Sequence, residues 1–193
     1  PAYDPVKDFQ AVYLMCNSPT SIVVHESVPA KTLLEFIAYA KSKPGALNYA
    51  SSGPGTPYHL AGESFKALSG TDIVHVPYKG TGPAMQDLQG GRIDFLCEIV
   101  STAKPQIDGG KVKGIAIMTK DRSKVLPNLP TTAEGGTPDL LAYTWNALYA
   151  PKNTPAAVVA KLNDAMKQAM KTPALRERLE GLGAAIVSDD RTT

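Results

Sequence analysis

The chain has 193 residues, 43% of them hydrophobic and 20% charged, which suits one large domain or two small ones and excludes a disordered chain. No run of about 18 apolar residues is present, which excludes a membrane-spanning helix. Lys and Arg number 20 against 18 Asp and Glu, with no basic block, so the balance of +2 argues against a nucleic-acid binder held by phosphate contacts.

Residues 11–24 have strand character, interrupted at Asn17-Ser18-Pro19. Leu33, Leu34, Ile37 and Ala40 give helical spacing over 31–41, and Lys43-Pro44-Gly45 stops it. Two periodicities then alternate. Strands are predicted over 47–51, 73–76, 93–99 and 112–118, and helices over 57–68, 83–88 and 102–107. Gly90-Gly91 and Gly109-Gly110 end the two short helices. This alternation predicts an α/β unit whose parallel sheet is covered by helices on both faces.

A Pro- and Gly-rich stretch follows, then an aromatic strand over 143–149. Thr154 as N-cap and Pro155 as first helical residue open a helix to about 170, and a second helix covers 173–182. Residues 184–187 suit a last strand. The predicted organisation is a second lobe at 25–118. Segments 1–24 and 119–193 then belong to a first lobe, with crossing strands at 11–24 and 112–119. The chain starts at Pro1 with no charged segment followed by an apolar one, so a processed or partial chain is expected. Cys16 and Cys97 fit no metal or redox spacing, and sequence leaves a bridge between them undecided.

Chemistry is concentrated in Ser51-Ser52-Gly53-Pro54-Gly55-Thr56-Pro57, between a strand and a helix. With Thr56 as N-cap, the free amides of the helix start face out of the loop and carry partial positive charge. Gly53 and Gly55 allow close backbone approach, and Ser51, Ser52 and Thr56 supply hydroxyls. Such a loop suits a carboxylate or phosphate without needing Lys or Arg. It is neither a Walker loop nor a dinucleotide fingerprint, since Gly55-Thr56-Pro57 replaces the first and Tyr58 breaks the second.

Two more loops are expected at the same sheet edge, one with Tyr78, Lys79 and Gly80 and one after Glu98, where open parallel sheets bind ligands. His59 leans toward the first loop as a donor to a bound anion. Asp94, within an apolar strand, needs buried partners. His25, His75, Tyr143 and Trp145 read most simply as structural. Ser52, His59 and Asp94 can be nominated as the machinery of an α/β enzyme acting on an anion, although no nucleophile-elbow motif surrounds Ser52. No metal-ligand set and no cofactor signature is found.

The same residues carry a family resemblance. Tyr3-Asp4-Pro5-Val6-Lys7-Asp8-Phe9, the run from Leu47 to Pro57, and His59-Leu60-Ala61-Gly62-Glu63 resemble the extracytoplasmic solute receptors of tripartite tricarboxylate transporters, the Bug receptors. So do His75-Val76-Pro77-Tyr78-Lys79-Gly80, Gly82-Pro83-Ala84, Leu126-Pro127 with Pro130-Thr131, Ala150-Pro151, and Arg176 to Gly183. The likeness covers essentially the whole chain, in order.

The resemblance implies a type II periplasmic-binding-protein fold, with two lobes joined by crossing strands and the first lobe incomplete here. It also implies a periplasmic receptor, not an enzyme, that closes on a small carboxylate (a di- or tricarboxylate, aromatic acid or amino acid) and presents it to a membrane permease. No cofactor and no nucleic acid is expected. Carried over by position, Ser51, Ser52, Gly55, Thr56 and His59 would contact the ligand, joined by Gly53, Tyr78, Lys79, Gly80, Asp94 and Glu98. Family members have a longer N-terminal part bearing the other wall of the pocket. Ala50 stands where the family often has Gly, and Glu98 where it often has Asp. The effector-sensing domain of a transcription regulator shares such a fold and is a further alternative, weakened by the lack of any DNA-binding segment.

Overall fold

In the computed structural model, which describes residues 2–188, strand β1 (Phe9–Val24) runs unbroken through Asn17-Ser18-Pro19. Pro19 falls between two ladders: Cys16 and Asn17 pair with one strand, and the pairing of Thr20 with another begins just after it. A residue without an N–H is tolerated at such a gap.

The chain divides into two compact units, one of Pro19–Thr144 and one of Pro1–Ser18 with Trp145–Thr193. Positions 24 and 118, the boundaries expected from sequence, both fall inside the first of these. The Pro- and Gly-rich stretch after Met118 stays with it through Ile117 N to Pro130 O (2.8 Å) and Ala142 N to Met118 O (2.9 Å), with Leu140 in its core. The strands with residues in both units are therefore β1 and β6 (Tyr143–Pro151), whereas the strand expected to cross at 112–119 lies within one.

Pro19–Thr144 is an α/β unit. After β1 come α1 (Leu33–Lys41), β2 (Asn48–Ser51), α2 (Pro57–Ser69), β3 (Val74–Pro77), α3 (Thr81–Gln89), β4 (Phe95–Ile99), α4 (Val100–Asp108) and β5 (Lys113–Ile117). The strand order is β3-β2-β4-β1-β5. β2 is parallel to β3 and β4, as expected where a helix returns the chain. β1 is antiparallel to both β4 and β5, so the sheet is mixed, not parallel.

Alternate residues of each strand face opposite layers. Ile22, Val24, Phe95 and Cys97 join Leu33, Phe36, Ala61 and Phe65 in one core, while Val23 and Leu96 join Ala84, Leu88 and Ala103 in the other. The first core is aromatic at its centre. Phe36 packs on Phe65 at 5.5 Å and on Phe95 at 5.4 Å, and Tyr49 stacks on Phe95 at 5.2 Å. Thr32 and Glu35 form a capping box that starts α1 at Leu33. α2 starts at Pro57 and stops at Gly70, whose φ of +63° accepts the turn out of the helix.

In the other unit, the first part of β1 pairs with β6 and with β7 (Ala185–Ile186), and α5 (Ala156–Met170) and α6 (Pro173–Gly181) complete it. Val12, Tyr13, Ala150 and Met170 form its core with Val159, Met166, Leu175 and Leu179 around them. The N-cap of α5 is Pro155, one residue beyond the expected Thr154, whose hydroxyl instead donates to Pro151 O at 2.8 Å. Both cysteines are buried and free. Among the described residues no helix is long and apolar enough to cross a membrane.

Gly62 marks the tightest helix-to-sheet contact, because a Cβ there would lie 2.2 Å from the Tyr49 ring. Gly62→Ala is expected to destabilise the protein by about 1–3 kcal/mol through overpacking, read as a lowered urea midpoint with an unchanged slope.

Candidate functional site

The parallel strands β2, β3 and β4 end at one edge of the sheet, and each is followed at that edge by the start of a helix. This is where the loop after Ser51 lies. Ser51 is fully buried, and its hydroxyl accepts the Gly53 amide at 3.1 Å and shares a 2.7 Å bond with His75 Nε2. Gly53 and Gly55 take φ values of +125° and +77°, open to glycine and strained for other residues. The Thr56 hydroxyl turns back to donate to Gly53 O at 2.7 Å. Thr56 is thus the N-cap of α2 by position, but its side chain makes no cap bond, contrary to expectation. The Gly53 carbonyl, left without a ladder partner by the turn, takes that hydroxyl instead.

His59 leans over the loop, as expected. Its Nδ1 accepts the Gly55 amide at 3.2 Å, so that nitrogen carries no proton in this arrangement. The amides of Gly53 and Gly55 are therefore already paired. The donors that remain are those of the first turn of α2, at Tyr58 and His59, since the first helical bond runs from Leu60 N to Thr56 O at 3.0 Å. Ser52 is half-buried, and its hydroxyl has no partner among the described residues.

A second layer holds this loop from behind. The His75 ring lies 4.2 Å from the His59 ring and stacks on Tyr49 at 4.8 Å. The Tyr49 phenol donates to Glu63 Oε1 at 2.7 Å, and Lys66 donates to the same carboxylate at 2.9 Å. Burial, and next the neighbouring His59, lower the pKa of His75.

The loop after β3 is tied to the first by Tyr78 N, which donates to Ser51 O at 2.9 Å. Its phenol donates to Asp87 Oδ2 at 2.6 Å, and the Arg92 guanidinium holds the same carboxylate. Tyr78 therefore anchors α3 and has no free hydroxyl proton. Lys79 is exposed, and Gly80 is the N-cap of α3 with φ +115°.

Asp94 and Glu98 lie on the same strand segment but at opposite ends, about 13 Å apart. Asp94 Oδ2 accepts Asn48 N at 2.8 Å and Asp94 N donates to Asn48 Oδ1 at 3.1 Å, at the edge away from the loops. This removes Asp94 from the site and dissolves the Ser52, His59, Asp94 constellation. Its burial is satisfied by the start of the neighbouring strand.

Glu98 lies at the loop edge, 1% exposed, with Oε1 accepting Ile99 N at 2.9 Å. Burial pushes its carboxyl above the ordinary range, against the hydroxyls of Thr102 and Thr81 and the Ile99 amide, which favour the ionised form. Burial and then the charge of Glu98 push the Tyr58 phenol up to about 12. Sequence reading missed Tyr58, Thr81 and Thr102. The signal was positional: each lies in the first turn of a helix that follows a parallel strand. Among the described residues no group of three or more His, Cys, Asp or Glu is placed to hold a metal ion.

Residues 2–192 match the model of a family described as tripartite tricarboxylate transporter family receptor. An Agrobacterium vitis protein, named for the TAR-I ttuE-ttuC' intergenic region, is 40% identical over 192 residues, covering 100% of this chain and 56% of its own length. MatC from Rhodopseudomonas palustris, solved with bound malate, is 36% identical with a TM-score of 0.90, over 100% of this chain and 65% of its own. The periplasmic binding protein BugD is 33% identical with a TM-score of 0.89, over 97% of this chain and 62% of its own. The chain thus spans about half the length of the curated relatives it matches.

A base whose pKa falls on folding binds fewer protons folded than unfolded, so its contribution is full above its ordinary 6.5 and is lost as pH drops. Thermal melts are therefore expected to fall between pH 7 and 5. His75→Gln is expected to flatten that slope, and an unaltered slope would show that His75 does not carry it.

Proposed function

The chain belongs to the receptor family of the tripartite tricarboxylate transporters, and on that premise we propose that it is a periplasmic receptor that captures a small carboxylate and presents it to a membrane permease. The observation that carries this reading is the unpartnered Ser52 hydroxyl beside the first turn of α2, at the edge where three parallel strands end. A carboxylate there takes the hydroxyl and the free amides of Tyr58 and His59, with the positive end of the helix behind them. In a site shielded from water such neutral donors hold a charge firmly. That MatC was solved with malate agrees with this ligand class.

Ser51, Gly53, Gly55, Thr56 and His59 serve this site by shaping it. Their hydrogen bonds to one another, and that of Ser51 to His75, fix the loop before a ligand arrives and spare the ordering cost at binding, while the Nε2–H of His59 stays available as a donor. Tyr78 and Gly80 do the same for the second loop, and exposed Lys79 adds long-range attraction for an anion.

Catalysis has little support. His59 has no carboxylate to orient it, and Asp94 is committed to Asn48. Ser51 and His75 are bonded, but Ser51 is sealed from solvent and cannot reach a substrate.

Calorimetric titration with small carboxylates tests the reading. Stoichiometric binding with the ligand recovered unchanged is expected. Ser52→Ala is expected to weaken it by about 1.5–3 kcal/mol, the range for a hydrogen bond to a charged group. Chemical conversion of the ligand, or an affinity untouched by Ser52→Ala, would overturn the assignment.

A further inference from the structure

We propose that His59 couples carboxylate capture to the uptake of a proton, by releasing the Gly55 amide to the ligand when its imidazole becomes charged. The inference rests on the receptor reading above and deepens it, from the class of ligand held to what is taken up with it.

The bond from Gly55 N to His59 Nδ1, 3.2 Å long, exists only while that nitrogen keeps its lone pair. The neutral ring then carries its one proton on Nε2. A second proton, taken from solvent, has no place but Nδ1. Donor then meets donor, the bond breaks, and the Gly55 amide is set free. The space beside it is open: Gly55 is exposed, and a Cβ built there meets no atom within 4 Å outside its chain neighbours. With no side chain and a φ of +77°, that peptide is free to turn. The released amide joins those of Tyr58 and His59, which are free at the start of α2. One proton thus gives a bound carboxylate a further backbone donor and a positive charge close by.

The groups around the ring leave the balance to the ligand. From β3 the His75 ring lies 4.2 Å away; it is bonded to buried Ser51, and burial disfavours a charge on it. From α2 itself Glu63 follows one turn later on the same side. Its carboxylate is already shared between the Tyr49 phenol of β2 and Lys66 of α2. Lys66 offsets the charge that Glu63 would lend to His59. An anion bound at the first turn of α2 supplies what these neighbours lack. By linkage, a ligand that favours the charged ring is itself held more tightly where the ring is charged. Affinity therefore rises as pH falls into the range in which imidazole ionises.

The test titrates malate, adipate and glutamate into the full chain, by calorimetry at pH 7 in two buffers of different ionisation heat. For an acid that binds, the difference between the two heats is expected to report net proton uptake. Its Kd is expected to fall about threefold or more between pH 8 and pH 6.5, where these carboxylates stay largely ionised. His59→Asn places an amide oxygen near the position of Nδ1 and takes no proton, so uptake and pH dependence are both expected to vanish. In the ligand-free protein the Gly55 amide resonance is expected to titrate together with the His59 ring, a readout that needs neither variant nor ligand. A circular-dichroism melt confirms that His59→Asn is folded; if it is not, the heats and the Gly55 resonance of the unsubstituted protein decide. Binding without proton uptake overturns the inference, as does uptake that survives His59→Asn or a Gly55 amide indifferent to pH, and in each case the receptor reading stands. Failure of every acid to bind overturns both.

Discussion

The buried hydroxyl of Ser51 is the point on which the loop edge depends. One oxygen accepts the Gly53 amide and holds the His75 ring, and so joins the end of β2 to the turn after it and to the neighbouring strand. The turn brings Gly53 close to the Tyr78 carbonyl, so the first loop packs on the second. The second is held in turn by Tyr78 N on Ser51 O. These bonds are made out of water, where each is costly to lose. The loop is therefore built before any ligand arrives.

Much of the α/β unit was legible in sequence because its signals are local. α2 was expected over 57–68 and runs Pro57–Ser69, since a proline at its start and a glycine at its end fix both boundaries. The capping box of Thr32 and Glu35 is equally local, and it moved the start of α1 by two residues from the hydrophobic spacing. The direction of β1 was not legible. Periodicity reports which face a side chain takes and says nothing about which way a strand runs. The antiparallel pairing of β1 with β4 and β5 is set by how the chain enters the sheet.

At the site, residue type was legible and commitment was not. Ser51 and Ser52 look alike in sequence, yet one is buried in bonds and the other keeps a free hydroxyl. Asp94 and Glu98 both read as carboxylates in an apolar strand, and only the register shows that one faces Asn48 and the other the helix starts. His59 was expected to give a hydrogen bond to an anion, and at Nδ1 it takes one from Gly55. Each difference comes from a tertiary partner more than a turn away in sequence or on another element.

The two thiols have a practical consequence. Burial pushes the Cys97 thiol up to about 12 and raises that of Cys16 as well. Thiolate, the form that attacks electrophiles, is then scarce at neutral pH. Both native sulfurs should stay silent toward maleimide dyes, so a single cysteine introduced on an exposed loop would take a fluorophore selectively without any prior removal of the natural ones.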